Sequence, residues 1–221
     1  MCIRDRLKTQ QGKLFGEVNA KLLIDDQATR KNVLGGLDWL GGMTQNDMAI
    51  VFLAGHGQTS DQNHFYFLGH DAEFDQLRQT ALKWTEFRDT LSELPGKVIL
   101  MADACHAGAA TRENKRRDGT GVWNSDELAR AFSSLDSGVV IFMASQGREF
   151  SQENPQWQHG AFTKALLDAF QGNGDLVRDG VLYLSELTTY VQQTVPKLTG
   201  NNQHPMVGKP QTVPDYPIAM F

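Results

Sequence analysis

Three continuous apolar runs stand out along the chain, at residues 48–53 (MAIVFL), 97–101 (KVILM) and 138–143 (GVVIFM). A run that is apolar at every position, rather than at alternate positions, is typical of a strand buried on both faces of a parallel sheet. We therefore predict three buried strands at the centre of the fold.

The segments between these runs have helical spacing, as Val33, Leu37 and Leu40 illustrate. Buried strands that alternate with helices are typical of an α/β domain with a parallel, doubly wound sheet. We predict helices at residues 28–40, 84–94, 160–170 and 187–195, and further strands at residues 18–24 and 64–68.

Two segments break the pattern. Residues 109–126 contain the polar, basic and glycine-bearing run TRENKRRDGTG, which predicts a linker loop. The tail from Gly200 carries four prolines, which predict an extended path over the surface.

Composition narrows the class of protein. A chain of 221 residues and 24.6 kDa fits one α/β domain, and a net charge of −5 does not favour nucleic acid as a partner. No apolar run reaches the 18 or more residues of a membrane span. Two cysteines form no disulfide framework and favour a reducing, cytoplasmic location. Residues 1–12 begin with MCIRDR, which suggests an adapter sequence joined to the remnant of a helix, and Cys2 receives no role.

Candidate chemistry follows two of the predicted strands. His56 lies between two glycines in AGHG, and Cys105 lies in ADACHAG, so both are expected just beyond strand ends. In open parallel sheets, ligands bind at the carboxyl ends of the strands. A cysteine thiolate attacks acyl carbons when an imidazole within reach manages the protons. The residues alone leave a second interpretation open, in which His56 is a turn residue and Cys105 an inert buried thiol.

The sequences VFLAGHG and DACHAG resemble the histidine and nucleophile motifs of caspases and metacaspases. Cys105 lies 49 positions after His56, close to the interval of about 50 described for caspases. The similarity continues through YFLGHDA, GVVIFMASQGREFS and GAFTKALLDAFQG, from about Lys13 onwards, and is greatest to bacterial metacaspase-like (orthocaspase) proteins. It implies a caspase-like three-layer α/β sandwich, with a mostly parallel sheet flanked by helices, and endopeptidase activity.

The resemblance also implies roles for individual residues. Cys105 corresponds to the nucleophile, His56 to the general acid/base, and the backbone N–H groups of Gly57 and Cys105 to the oxyanion hole. Asp103 corresponds to the acid of the primary specificity pocket, which favours Arg or Lys in the substrate. A loop cap or strand-end hydrogen bond remains the alternative role for Asp103.

The sequence departs from the family pattern in three places. Ala54 and Ala107 stand where metacaspases usually have serine. The family's first strand would precede Lys13, and no segment matches it, so we expect a truncated chain with an unpaired strand edge and an incomplete pocket.

The resemblance divides the chain into a large-subunit-like part (13–108), the basic linker (109–126) and a small-subunit-like part (127–221). The linker offers basic residues to an enzyme expected to cut after Arg or Lys, and we predict self-cleavage there. Its candidate sites are Arg112, Lys115, Arg116 and Arg117.

The sequence indicates no metal site and no required cofactor. His106 beside Cys105 lacks a second Cys/His cluster, and His64, His70, His159 and His204 fit surface or hydrogen-bonding roles. Residues 175–186 match a calcium loop at Asp175, Asp179, Gly180 and Glu186, but Val177 removes one ligand, so a turn, a strand and a helix beginning at Ser185 fit better. Calcium activation occurs in metacaspases, and this sequence does not itself indicate it.

Three functions remain open at this stage. The first is an endopeptidase that acts on proteins or peptides, and retention of both His56 and Cys105 favours it. The second is a catalytically impaired caspase-fold scaffold or signalling module, and the third is a peptidase of the gingipain or separase type. Fusion of this chain to further domains in a full-length protein also remains open.

Overall fold

The computed structural model describes residues 2–60, 62, 64–106, 138–146, 149, 151–155, 157 and 159–221, with only the backbone described for residues 104–106. The helices within these residues are α1 (Ile3–Lys8), α2 (Arg30–Leu40), α3 (Leu77–Thr80), α4 (Trp84–Ser92), α5 (Ala161–Asp168, continued by a π-helical turn over Ala169–Asn173) and α6 (Leu184–Leu198), with a 3₁₀ turn at Asp25–Gln27. The strands are β1 (Met48–Thr59), β2 (Phe65–Leu68), β3 (Leu82–Lys83), β4 (Lys97–His106), β5 (Val139–Met143), β6 (Glu153–Asn154), β7 (His159–Gly160), β8 (Val181–Tyr183), β9 (Met206–Gly208) and β10 (Pro217–Met220).

A six-stranded sheet in the order β3-β2-β1-β4-β5-β9 forms the centre of the molecule. Its middle strands β1, β4 and β5 are parallel, and β2, β3 and β9 are antiparallel to their neighbours. The three predicted apolar runs are these three parallel strands. The predicted fold class, a mostly parallel sheet in an α/β domain, is confirmed.

Helices cover the sheet on both faces and make three layers. Ile99 and Met101 of β4 belong to a core with α5 and α6, whereas Val98 and Leu100 belong to a core with α2 and α4. All four residues are fully buried. This two-sided burial explains why the strand sequence is apolar at every position. None of the helices in the described residues is long and apolar enough to cross a bilayer.

The prediction of a strand at residues 18–24 is wrong. This segment is extended but belongs to no strand, and Leu22 and Ile24 are 40% and 52% exposed. It lies along α2, where the Lys21 ammonium donates to the Gly35 carbonyl oxygen. A strand needs a neighbour for its backbone N–H and C=O groups, and apolar composition alone does not provide one.

The prediction that the tail from Gly200 only wraps the surface is also wrong. Strand β9 pairs with β5 in the central sheet, and β10 pairs with β8. Ile218 and Ala219 of β10 are fully buried. Pro217 is the first residue of its strand, a position where the missing N–H is tolerated. Proline content therefore predicted the loops of this tail but not its two strands, β9 and β10.

The first helix packs into the same core as the end of the chain. Ile3 of α1 is 5% exposed and contacts the core that contains α5 and β10. The buried Gln10 amide binds the backbone of Met220 twice, accepting from its N–H at 2.7 Å and donating to its carbonyl oxygen at 3.2 Å. Residues near both ends of the described chain thus belong to one packing unit.

Candidate active site

The two candidate catalytic residues are partners across the middle of the sheet. Strands β1 and β4 pair in parallel from Met48 opposite Lys97 onwards, and this register places His56 opposite Cys105. Adjacent strands lie about 4.8 Å apart. The sequence prediction that both residues lie beyond the strand ends is wrong, because β1 continues to Thr59 and β4 to His106.

The glycine after His56 is required by packing. The His56 side chain is exposed, whereas Gly57 is buried. A Cβ atom at Gly57 would lie 2.0 Å from Cζ of the Phe65 ring, closer than any real contact. Gly57 also has register partners on both sides, Phe67 in β2 and His106 in β4.

Asp103 lies two positions before Cys105 in β4 and is 8% exposed. Its Oδ2 accepts a hydrogen bond from the Thr163 hydroxyl at 2.5 Å, and the carboxylate also accepts from the Thr163 backbone N–H. Thr163 is the third residue of α5, whose N-cap, Gly160, has no side chain with which to cap the helix. Asp103 of β4 therefore caps the first turn of α5.

Burial raises the pKa of the Asp103 carboxyl above its ordinary value. Hydrogen bonds from the hydroxyls of Thr163 and Ser151 and from the Thr163 N–H act in the opposite direction, and the charge of Glu153 raises the pKa further. The carboxylate is thus held in a low-dielectric position by neighbouring donors.

Gly160 leaves the space that Asp103 occupies. A Cβ atom at Gly160 would lie 2.9 Å from Asp103 Oδ2. Glu153 of β6 is the register partner of Gly160 in β7 and is exposed. A second carboxylate therefore stands close to the first, on the solvent side.

The segment that follows β5 is attached to the C-terminal part of the chain. The Gln203 side chain is fully buried, accepts from the Gln152 N–H at 2.8 Å and donates to the Ala144 carbonyl oxygen at 2.8 Å. The Glu149 carboxylate accepts from the His204 backbone N–H at 2.6 Å and contacts His204 Nδ1 at 2.7 Å. These contacts hold the segment that brings Ser151 to Asp103.

The partial calcium motif at residues 175–186 is a hydrogen-bonded turn, followed by β8 and α6. The Asp175 carboxylate accepts from the backbone N–H groups of Arg178, Asp179 and Gly180. The Glu186 carboxylate accepts from those of Leu176, Val177 and Tyr183. The part of the chain that the structure describes contains no group of three or more His, Cys, Asp or Glu residues arranged to hold a metal ion.

Several predicted residues lie outside the described residues. They are Ala107, the linker 109–126 and the predicted cleavage sites Arg112, Lys115, Arg116 and Arg117. The predictions for them stand as the sequence made them.

Sequence reasoning missed the residues that surround Asp103. Thr163 and Gly160 both lie in GAFTKALLDAF, which the sequence analysis used only as a helix and as part of the resemblance. A Gly at the helix start followed by Thr three positions later was the available signal for a cap supplied from elsewhere. Ser151, Glu153 and Gln203 carried no comparable signal, because their roles arise only when distant segments meet.

Comparisons with known proteins agree with this fold. Residues 9–214 match the family model described as the caspase domain of peptidase family C14. The fold is similar to a crystal structure of caspase-1 from Spodoptera frugiperda, with a TM-score of 0.58 and 16% identity over 98% of this chain and 82% of that one. It is also similar to a protein from Geobacter sulfurreducens, with a TM-score of 0.57 and 16% identity over 88% of this chain and 78% of that one. A comparison with curated proteins finds no significant match.

Proposed function

Since the chain belongs to the caspase-domain family of peptidases, we propose that it is a cysteine-type endopeptidase with Cys105 as nucleophile and His56 as general acid/base. The observation that carries this proposal is the register of β1 and β4, which makes His56 and Cys105 direct neighbours in the middle of the sheet. Two backbones in a parallel ladder fix the separation of the pair more firmly than two loops would.

The proposed reaction has two stages. The Cys105 thiolate attacks the scissile carbonyl, the C–N bond breaks, and the His56 imidazolium gives its proton to the departing amine. Water then attacks the thioester, the His56 imidazole accepts its proton, and the thiolate leaves. The backbone N–H groups of Gly57 and Cys105 are proposed to stabilise the oxyanion. None of these steps requires a cofactor.

We further propose that the enzyme cleaves after Arg or Lys. Asp103 lies two positions before Cys105 on the same strand, about 7 Å along it. An ionised carboxylate has about four lone-pair sites. The hydroxyl and backbone N–H of Thr163 and the Ser151 hydroxyl occupy three of these sites, which leaves about one for a single charge-assisted hydrogen bond from a substrate cation.

Turnover of short peptides by Cys105→Ala and His56→Ala variants tests the dyad. We expect kcat/KM to fall at least about 10³-fold in each, with unchanged circular dichroism and melting temperature. The matched control is Cys2→Ala, because Cys2 lies at the start of α1 and has no proposed role. Full turnover by the Cys105→Ala protein would exclude the dyad.

A peptide library with each residue at the position before the cleaved bond tests the specificity. We expect Arg and Lys to dominate, and cleavage chiefly after Asp would refute the pocket. A folded wild-type protein that cleaves no peptide would instead favour the scaffold function. The metacaspase subtype and the cytoplasmic location remain predictions from the sequence.

A further inference from the structure

We propose that Thr163 is a positioning residue that orients the Asp103 carboxylate toward a basic substrate side chain and keeps it ionised, and that Glu153 opposes this ionisation from the rim. This inference rests on the proposed function, because it concerns the pocket in which Asp103 would bind Arg or Lys. It assigns roles to two residues that lie outside the histidine and cysteine motifs.

The contact between Thr163 and Asp103 joins the helix layer to the strand of the nucleophile. Thr163 is 8% exposed, and its hydroxyl donates to Asp103 Oδ2 at 2.5 Å. The backbone N–H of the same residue also donates to the carboxylate. Because Thr163 occupies the first turn of α5, the positive end of the helix dipole also favours the ionised form. One residue thus fixes both the direction and the charge of the carboxylate.

The pairing of Glu153 with Gly160 places Glu153 near the same carboxylate. Directly opposed residues of an antiparallel pair project to the same face, with Cβ atoms about 4.5–5.5 Å apart. Glu153 and Gly160 are such a pair, and a Cβ atom at Gly160 would lie 2.9 Å from Asp103 Oδ2. The Glu153 side chain therefore starts on the side of the β6–β7 hairpin that faces Asp103. Its negative charge raises the pKa of the Asp103 carboxyl.

Among the residues that the structure describes, the other groups that meet the Asp103 carboxylate carry no net charge. Ser151 contributes a hydroxyl, Gly160 has no side chain, and the register partner of Asp103 in β1 is Ala54. Within the described residues, Glu153 is thus the charged group that acts on this carboxyl. Thr163 and Glu153 therefore have effects of opposite sign on its protonation.

Because Thr163 and Glu153 act on the pKa of Asp103 in opposite directions, substitutions at the two positions should shift it in opposite directions. Residues that only stabilise the fold would not produce this result. Removing the Thr163 hydroxyl takes a donor from the ionised carboxylate, so the pKa of Asp103 rises. Removing the Glu153 charge removes its repulsion of the ionised Asp103 carboxylate, and the pKa of Asp103 therefore falls. The acidic limb of kcat/KM for an Arg substrate should move to higher pH in Thr163→Val and to lower pH in Glu153→Gln.

The measurement is the ratio of kcat/KM for an Arg peptide to that for the same peptide with citrulline, a neutral analogue of arginine. On the acidic limb we expect Thr163→Val to lower this ratio about tenfold, in keeping with the loss of one hydrogen bond to a charged group. Thr163→Ser keeps the hydroxyl and should restore the wild-type profile. The matched control is Thr188→Val, because the Thr188 hydroxyl donates within α6 to the Leu184 carbonyl oxygen. Should Thr163→Val fail to fold, Thr163→Ala takes its place, since alanine is the better helix former.

A second readout separates this inference from the proposed function. The Asp103 carboxyl carbon can be titrated by ¹³C NMR and assigned with Asp103→Asn, and this titration needs no turnover. If the wild type cleaves Arg peptides but the limb does not move in Thr163→Val or Glu153→Gln, the inference is wrong and the proposed function stands. If no basic peptide is cleaved, the proposed function fails, and the direction of the two NMR shifts still decides the inference. If Thr163→Val lowered kcat/KM equally at every pH and for both peptides, Thr163 would only stabilise the fold, and the proposal would be overturned.

Discussion

His56 and Cys105 are Cα register partners in adjacent parallel strands, so their separation is set by a single rung of the central sheet. The neighbouring rungs on the amino-terminal side pair Gly55 with Ala104 and Ala54 with Asp103. A displacement of either strand by one residue would move His56 out of register with Cys105 and reverse the faces of that strand. The buried apolar pairing of the same strands opposes such a displacement.

Gly57→Ala should destabilise the protein, because the new Cβ atom would lie 2.0 Å from Phe65 Cζ and 2.4 Å from its Cε2. We expect a loss of about 1–3 kcal/mol in the free energy of unfolding, measured in urea. Phe65→Leu in the same protein should recover part of it. The matched control is Gly35→Ala in α2, where nothing lies within 4 Å of the new atom and a gain of about 0.5–1 kcal/mol is expected. Equal stability of Gly57→Ala and the wild type would contradict this steric account.

Asp103→Asn should stabilise the protein at neutral pH. The folded-state pKa of Asp103 lies above its unfolded value because of burial, so the folded state binds the proton more tightly. Stability is then lost as pH rises through the interval between the two values. The neutral amide escapes this loss, so the melting temperature of the variant should exceed that of the wild type at pH 7, and the difference should shrink on acidification.

Asp47→Asn provides a control of opposite sign. The pKa of Asp47 is lowered by the backbone N–H and the hydroxyl of Thr44, which donate to its carboxylate at 2.7 and 2.9 Å. Its stabilisation is present above the unfolded pKa and is lost as pH falls. The Asp47→Asn variant should therefore melt below the wild type at neutral pH, and this difference should also shrink in acid. The same sign for both variants would contradict the role of burial at Asp103.

Gln203→Ala should loosen the segment that follows β5. The substitution leaves the Gln152 N–H and the Ala144 carbonyl oxygen without their buried partner. At about 1–3 kcal/mol for each unsatisfied group, we expect a loss of about 2–6 kcal/mol in the free energy of unfolding, measured by chemical denaturation. Gln193→Ala, at an exposed position of α6, should change stability by less than about 0.5 kcal/mol. KM for Arg peptides should rise in Gln203→Ala, because the segment carries Ser151 to Asp103.

Self-cleavage in the linker is expected on incubation of the pure protein. N-terminal sequencing of the products should give fragments that start between residues 113 and 118, after Arg112, Lys115, Arg116 or Arg117. Other proteases also cut at basic residues in linker sequences. The Cys105→Ala protein is therefore the control, and cleavage that persists in it would identify a contaminating protease.

The central strands could be predicted from the sequence because they depend on local pattern. Runs such as 97–101 are apolar at every position only when both faces of a strand are covered. The carboxyl ends of parallel strands lie at the same edge of a sheet, so the motifs that follow two such runs are expected at that edge. The exact ends of β1 and β4 could not be predicted, because pairing with β2 extends β1 through His56 and Gly57, beyond its apolar run.

The environment of Asp103 could not be predicted because it depends on segments about 60 positions apart. The sequence shows Gly160 and Thr163 as the start of a helix, but not that the cap comes from a strand. The strand predicted at 18–24 failed for a related reason. Its apolar residues suggested burial, whereas pairing depends on which backbone lies alongside.

The packing of α1 and Gln10 against the end of the chain has a consequence for a protein cut in its linker. The first piece would contribute Ile3, Gln10 and β4, and the second would contribute α5, Met220 and β5, to a shared core and a shared sheet. Unfolding of the cut protein would release two molecules instead of one. Its melting temperature should then increase with protein concentration, as in a heterodimer, whereas that of the uncut chain should stay constant.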